Sequence, residues 1–375
     1  MTELSAWLAE HRSGGRLFFG PGRVNLIGDH TDYNGGLVMP FAVDMGVYLS
    51  SAAASSWQFH SAGYPDVAYR SGDSIQGLPD WARYVAGVIS LAEARFGPLP
   101  PQKLSFFSNL PTGAGLSSSA ALQMAVLSCL LEMNQLDMSV ADKARLGKQV
   151  ENDIIGVPSG IMDQFISAGG VVGSALQLDC ATLEYQAVAL AHADYQLLVV
   201  DSAQPRTLAA SGYRDRVAEC ASALAALQQI KPASHLVAYQ LSDLDAAQLT
   251  DSQYKRAKHV IVENGLVDAT AAALAADDWL AAGECLNQSH RSLRDDYQSS
   301  HLRVDELLAI CAQQPGFVGG RITGGGFGGC TVQMVKANAL ETFIASVSEQ
   351  YRSQTGLEAH FYPVSASAGA RELSQ

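Results

Sequence analysis

The chain has 375 residues, 48% apolar and 16% charged, a globular composition that excludes a disordered chain and suits a sizeable core in two domains or lobes. Its 24 basic and 37 acidic residues give a formal charge of −13, which disfavours nucleic acid or an anionic membrane as the main partner. An anionic ligand therefore has to be held locally, by backbone N–H groups or a bound cation.

The N-terminal MTELSAWLAEHRSGG lacks the apolar stretch of a secretory signal, and no run approaches the length of a membrane span. A cytoplasmic protein is expected. Residues 21–36 read PGRVNLIGDHTDYNGG. An apolar run, Val24 to Ile27, stands beside Arg23, Asp29, His30, Asp32 and Tyr33. A surface loop does not need the run and a core strand does not tolerate the charges, so the stretch is expected to hold something polar. Val43, Met45, Val47 and Leu49 alternate with polar or small neighbours, as a half-buried strand does. Trp81, Tyr84, Val85, Val88 and Ala92 recur at helical spacing before a Phe96-Gly97-Pro98 stop.

LSFFSN (104–109) reads as a strand, PTGAG as a turn, and SSSAALQMAVLSCLLEMN as a long helix. Ser139 with Asp142 predicts a capped helix running to about Ile155. The AGG of 168–170 suggests a lobe boundary near 170–180. Strands are expected near 174–180 and 195–202, and helices at about 211–229, 251–265, 268–290 and 337–355. Between them VGGRITGGGFGGCTVQMVK (318–336) reads as a glycine loop leading into an alternating strand. The six cysteines are scattered without a C-x-x-C pair, which predicts reduced thiols. None of the nine histidines has a metal-binding spacing, so no structural zinc is expected.

Three stretches carry chemistry. In PTGAGLSSSA (111–120), Gly113 and Gly115 permit backbone conformations in which successive N–H groups face one anion. The serines then open a helix, whose N-terminus favours phosphate. An ordinary strand–turn–helix with a serine cap is the plain alternative; two glycines and a triple serine favour phosphate binding. GGGFGG (324–329) satisfies G-x-G-x-x-G but precedes a strand, so it is not a dinucleotide fingerprint. It is either a tight hairpin or a backbone brought close to a ligand or another lobe, and its glycine density favours the second, with Arg321 able to add charge. In VENDIIGVPSGIMDQF (150–165), Asp163 lies among Ile161, Met162 and Phe165. A carboxylate in an apolar setting needs a partner or a task, and Arg23 is the candidate partner. Arg291 and Asp295 are spaced to pair on a helix. Trp81 and Tyr84 are more readily core residues, with a place beside a nucleotide base as the alternative.

Together these segments resemble the sugar-kinase branch of the family that also holds homoserine, mevalonate and phosphomevalonate kinases, and within it the galactokinases. GRVNLIGDHTDYNGG resembles the galactokinase signature, PTGAGLSSSA the shared ATP-binding motif and GGRITGGGFGGCT the third family motif. GIMDQF, RAKHVIVEN (256–264) and SHRSLRDDY (289–297) extend the likeness over nearly the whole chain. The resemblance implies an α+β, two-lobe architecture with the active site in the cleft between lobes. A lobe of residues 1–175 would bind sugar and ATP. A second, 176–360, would carry the third glycine motif, and a strand near 360–375 would return to the first lobe.

It also implies transfer of phosphate from ATP to the C1 hydroxyl of α-D-galactose, giving galactose 1-phosphate and ADP. By matching position, Asp163 and Arg23 would be catalytic, and Asp29, His30, Asp32, Asp163 and Tyr213 would bind the sugar. Pro111, Thr112, Gly113, Ala114, Gly115, Leu116, Ser117, Ser118, Ser119 and Ala120 would bind ATP. Ser119, with Ser118 as the alternative, and Glu151 would hold Mg²⁺. A monomer without nucleic-acid or membrane partners is expected. In one departure, Asp29 stands where the family carries Glu, a residue that contacts the sugar's C6 hydroxyl, which implies a looser fit at C6. The rival readings are a kinase for N-acetylgalactosamine or arabinose, and a galactose-sensing regulator without catalysis. The intact SSSA, Glu151, Asp163 and Arg23 argue for an active enzyme.

Overall fold

A glycine in the first apolar strand decides how closely a helix can pack on it. The structure, a computed structural model, describes residues 3–374 apart from 13, 112, 114, 158 and 206–208. In chain order the first part holds α1 (Glu3–His11), β1 (Arg16–Asn25), β2 (Leu37–Val38), β3 (Pro40–Ala53), β4 (Trp57–Ser61) and β5 (Val67–Tyr69). It continues with α2 (Asp80–Phe96), β6 (Gln102–Ser108), α3 (Ser118–Met133), α4 (Val140–Gln149) and α5 (Met162–Gly169). Strands β7 (Ser174–Asp179), β8 (Tyr185–Ala189) and β9 (Tyr195–Asp201) follow, then helices α6 (Ala209–Leu227), α7 (Leu241–Ala246), α8 (Asp251–Ala275), α9 (Trp279–Asp295) and α10 (Leu302–Cys311). The chain closes with β10 (Phe317–Ile322), β11 (Cys330–Lys336), α11 (Leu340–Thr355), β12 (His360–Val364) and β13 (Arg371–Glu372).

The strands form a six-stranded sheet in the order β13-β1-β3-β6-β4-β5, a four-stranded sheet β10-β11-β9-β12, and a three-stranded sheet β2-β7-β8. The fold is α+β. The last strands divide between sheets: β12 pairs with β9, while β13 pairs with β1. Helix α3 is apolar on nearly every side, and eleven of its residues, including Gln123 and Ser128, are buried. It lies against β1, β3, α2 and α5. Gly20 permits this, because a Cβ there would fall 2.0 Å from the Ala121 carbonyl oxygen. The β1–β3 register shifts between Pro21 and Arg23, and a bulge of this kind re-aims the next side chain.

Several elements differ from expectation. The helices predicted at 251–265 and 268–290 are divided elsewhere: α8 runs without a break through Gly265 to Ala275, and α9 starts at Trp279. A glycine inside a helix costs about 1 kcal/mol, which burial of Val260, Leu266, Val267, Ala271 and Leu274 offsets. The turn comes instead at Asp277, at φ 59, and Asp278 caps α9 by accepting from Ala281 N at 3.0 Å. Strand β11 is buried on both faces through Val335 and does not alternate. The predicted Ser139 cap is present and accepts from Asp142 N at 3.1 Å, but its helix ends as a π-turn over Val150–Ile155. None of the six cysteines is in a disulfide. Among the described residues no helix is long and apolar enough to cross a membrane.

Candidate active site

The apolar run after Arg23 is core: Val24, Leu26 and Ile27 are fully buried among residues of β3, α8, α9 and β11. The chain then turns at Gly28 and presents the polar residues in a buried setting, where each needs partners. Asp29 accepts from Asn25 Nδ2 at 2.5 Å through Oδ1 and pairs with Arg321 through Oδ2. Arg321, itself fully buried, donates Nη1 to the carbonyls of Asn25 and Leu26 at 2.9 and 3.0 Å. From α8, Glu263 Oε1 accepts from the backbone N–H of Gly28 at 2.9 Å and from Ser289 Oγ at 2.8 Å. His259 Nε2 lies 3.1 Å from the Asp29 carbonyl. Burial pushes the Asp29 carboxyl up, against the opposing charge of Arg321.

Arg23 and Asp163 are 140 residues apart in sequence and meet here as a bidentate pair, Nε to Oδ1 and Nη2 to Oδ2, both at 2.7 Å. Arg23 Nη1 donates to the Gly115 carbonyl at 2.7 Å. Asp163 sits in the first turn of α5, where the helix dipole favours a carboxylate. A third donor reaches it: Ser117 Oγ, from the residue that caps α3 in a left-handed conformation at φ 56. One carboxylate thus ties the start of α3 to the bulge of β1.

Two cavities meet at this point. The smaller, about 270 Å³, is lined by Arg23, Asp29, His30, Asp32, Glu151, Asp163, Tyr213, Gly324 and Gly325 among others. The larger, about 890 Å³, is lined by Pro111, Gly113, Gly115, Ser117, Ser118 and Ser119, with Trp81, Tyr64, Phe106 and Phe107 on the aromatic side. Arg23, Tyr84 and Ser119 line both. A polar chamber therefore opens onto a wider aromatic one past a guanidinium and a hydroxyl, as a transfer reaction between two substrates requires.

Within the small cavity burial dominates the electrostatics. Asp32 is pushed up to about 6 by burial and then by the charge of Asp163. Burial drives His30 well below its ordinary value and Tyr213 well above. Gly160 borders the chamber, and a Cβ there would lie 1.7 Å from Asp32 Oδ2, so a side chain would displace that carboxylate. Ser119 Oγ donates to Glu151 Oε1 at 3.0 Å, and Gln123 Nε2 donates to the same oxygen at 3.1 Å. Glu151 lies on the π-turn, a distortion frequent at functional sites. A carboxylate and a hydroxyl at the cavity wall are hard oxygen donors that fit Mg²⁺, which takes few protein ligands and completes its shell with water and phosphate.

Comparison with known proteins gives the family. Residues 9–52 match the galactokinase galactose-binding signature, residues 83–170 the GHMP kinases N terminal domain and residues 270–353 the GHMP kinases C terminal domain. The galactokinase of Exiguobacterium sibiricum is 38% identical over 372 residues, covering 97% of this chain and 95% of that one. That of Clostridium beijerinckii is 36% identical over 368 residues, covering 95% and 94%. The chain belongs to the galactokinase family. Its fold is that of Lactococcus lactis galactokinase complexed with galactose, with a TM-score of 0.93 at 33% identity over 99% of this chain and 100% of that one. Methanococcus jannaschii mevalonate kinase, 14% identical over 97% of this chain and 100% of that one with a TM-score of 0.66, shares the fold.

Most positions that the family resemblance singles out converge on the two cavities, with exceptions. Ala120 is fully buried in α3 and does not border the larger cavity. Thr112 and Ala114 lie outside the described residues. Ser119, not Ser118, touches Glu151. Arg321, expected to offer charge to a ligand, is turned inward to Asp29 because β10 is buried on both faces there. Arg291 pairs with Glu284 at 2.7 Å and Asp295 with Arg294 at 2.7 Å, so the expected Arg291–Asp295 pair is absent. The glycine loop does bring backbone close: Gly324 and Gly325 border the small cavity. Its Phe327 covers Gly212 of α6, where a Cβ would fall 2.6 Å from the ring. Sequence reasoning missed Asn25 and the Ser117–Asp163 bond. The only signal for Ser117 was its position first in the serine run.

Proposed function

We propose that the protein transfers the γ-phosphoryl group of ATP to the C1 hydroxyl of α-D-galactose. Family membership supports the reaction class, and the observation that carries the residue roles is the Arg23–Asp163 pair at the junction of the two cavities. The sugar occupies the small chamber. Asp29, Asp32 and Asp163 accept hydroxyl protons, and His30 and Tyr213 complete its walls. ATP lies in the larger cavity with its phosphates along 111–119 and its base toward the aromatic side chains.

Asp163 accepts the C1 hydroxyl proton and aligns that oxygen. The oxygen forms a bond to the γ-phosphorus as the bond to the β,γ-bridging oxygen breaks, and ADP leaves with the electron pair. Three donors already engage the Asp163 carboxylate, which fixes its orientation toward the hydroxyl. Arg23 offsets negative charge on the group in transit, in line with phosphoryl transfer by positioning and electrostatics. Mg²⁺, held by Ser119 and Glu151, would neutralise phosphate charge when bound. Six scattered cysteines, none in a disulfide, fit a reducing, cytoplasmic setting, and gel filtration tests the expected monomer.

Asp29 is drawn to Asn25 and Arg321, which supports a loose fit at C6. The test is ADP release with ATP and Mg²⁺ against galactose, 6-deoxygalactose, N-acetylgalactosamine and arabinose. Galactose is expected to turn over fastest, 6-deoxygalactose to be accepted, and Asp29→Glu to sharpen the preference for galactose. Release that no sugar stimulates would leave a sensor, and a faster rate with another sugar would reassign the substrate.

A further inference from the structure

His30 is the one imidazole bordering the small cavity, and its ring is held by more than its own turn. Its backbone is left-handed at φ 68, which few residues other than glycine adopt. Asn34 Nδ2 donates to its carbonyl at 2.7 Å. The ring lies against Tyr297, centroids 4.4 Å apart. His30 Nδ1 is 2.9 Å from Tyr33 Oη, which is 2.6 Å from Tyr297 Oη, which in turn is 3.2 Å from Cys220 Sγ. His30 Nε2 is buried and has no partner among the described residues.

We propose that Tyr33, Tyr297 and Cys220 form a relay that fixes the His30 tautomer, with Nδ1 bare and Nε2–H donating into the small cavity. Tyr33 and Tyr297 are thereby positioning residues acting through His30. The inference rests on the sugar-site reading only for what Nε2–H donates to.

The argument is one of proton accounting. Burial keeps the ring neutral, so it carries one N–H. The chain can then point in two directions. In one, the thiol donates to Tyr297, Tyr297 to Tyr33, and Tyr33 to Nδ1. In the other, Nδ1–H donates to Tyr33 and the chain ends with Tyr297 donating to sulfur. The first makes a phenol O–H···N(imidazole) bond, pairing a good donor with the strongest neutral acceptor in the chain. The second gives that acceptor up and ends on sulfur, a weak acceptor.

The cavity favours the same direction. Asp29, Asp32 and Asp163 line it, and ionised carboxylates only accept. Arg23 directs Nε, Nη1 and Nη2 to Asp163 and Gly115. A polyol whose hydroxyls donate to carboxylates keeps oxygen lone pairs that need a donor, and Nε2–H supplies one from a fixed direction.

The test is the nitrogen spectrum of His30 in the full-length protein labelled with ¹⁵N-histidine, assigned by the signal lost in His30→Gln. Galactose affinity is measured alongside by calorimetry. Wild type is expected to show a protonated Nε2 and a bare Nδ1 without ligand. Tyr33→Phe is expected to mix the tautomers and weaken galactose binding roughly 10-fold. Tyr297→Phe, which keeps Tyr33 but removes its donor, is expected to shift the tautomer less. A wild-type His30 protonated at Nδ1, or a Tyr33→Phe protein with an unchanged tautomer, overturns the proposal. If Tyr33→Phe does not fold, the wild-type tautomer decides alone. A wild type that shows the expected tautomer but binds no galactose overturns the sugar-site reading and leaves the relay standing.

Discussion

Asp32 and Asp163 share one small chamber, and the first of them is costly to ionise there. The Asp32 carboxyl is pushed up to about 6 from an ordinary 3.8 by burial and then by Asp163. A carboxyl raised in the folded state stabilises the fold below its unfolded value, and that contribution is lost as pH rises through the folded value. Near neutral pH the half-buried, ionised Asp32 therefore weighs against folding, by about 3 kcal/mol at most for the interval from 3.8 to about 6. Asp32→Asn is expected to raise the Tm of the ligand-free protein at neutral pH. The gain should shrink toward pH 4, and galactose affinity should fall. A thermal scan across pH checks the sign, since a gain that grows with acid contradicts it. Asp163→Asn keeps the shape but not the charge facing Arg23. Turnover is expected to fall about 100-fold or more while ATP affinity stays within a few-fold, and loss of ATP affinity instead would assign Asp163 to nucleotide binding.

The elements that carry these residues were legible in unequal measure, for physical reasons. The strand–turn–helix around PTGAGLSSSA was readable because the turn glycines and the apolar length of α3 agree locally. The division of α8 from α9 was not, since tertiary burial overrides the glycine at 265. Strand β8, exposed at all but one of its residues, lacks the apolar pattern that marks a strand. Arg23 could be named as the partner of Asp163, but their 140-residue separation left the geometry to the fold. The Gly20 contact was invisible, because nothing local says that a helix will lie on that residue. Gly20→Ala sets a Cβ 2.0 Å from the Ala121 carbonyl and has to lift α3 from β1. Overpacking of this kind costs about 1–3 kcal/mol. Because α3 carries Ser117 to Ser119 at its start, the KM for ATP is expected to rise along with the fall in Tm. A variant with lower Tm and unchanged KM would show that the loop is positioned independently of the helix.

At the scale of the whole molecule, the turn that carries Asp29, His30 and Asp32 is anchored by parts of the chain far from it in sequence. Arg321 of β10 reaches Asp29 and the end of β1, and α8 and α9 close over the same turn through His259, Glu263 and Ser289. Removing one member of a buried pair leaves the other uncompensated, at a cost of about 3–5 kcal/mol. Arg321→Leu is expected to lose stability in that range, and adding Asp29→Asn should recover much of it, because the double variant has no stranded charge. The pH dependence separates this from simple loss of packing. Asp29 is already raised by burial, with Arg321 opposing the rise, so removing the arginine raises it further. The single variant then binds a proton at a pH where wild type does not, and its deficit relative to wild type should narrow as pH falls and widen as pH rises. Urea unfolding at several pH values reads this out. A deficit that is flat with pH, or one that Asp29→Asn fails to relieve, would mean that Arg321 holds β10 to β1 by its contacts with the carbonyls at the end of β1 alone and not by its charge.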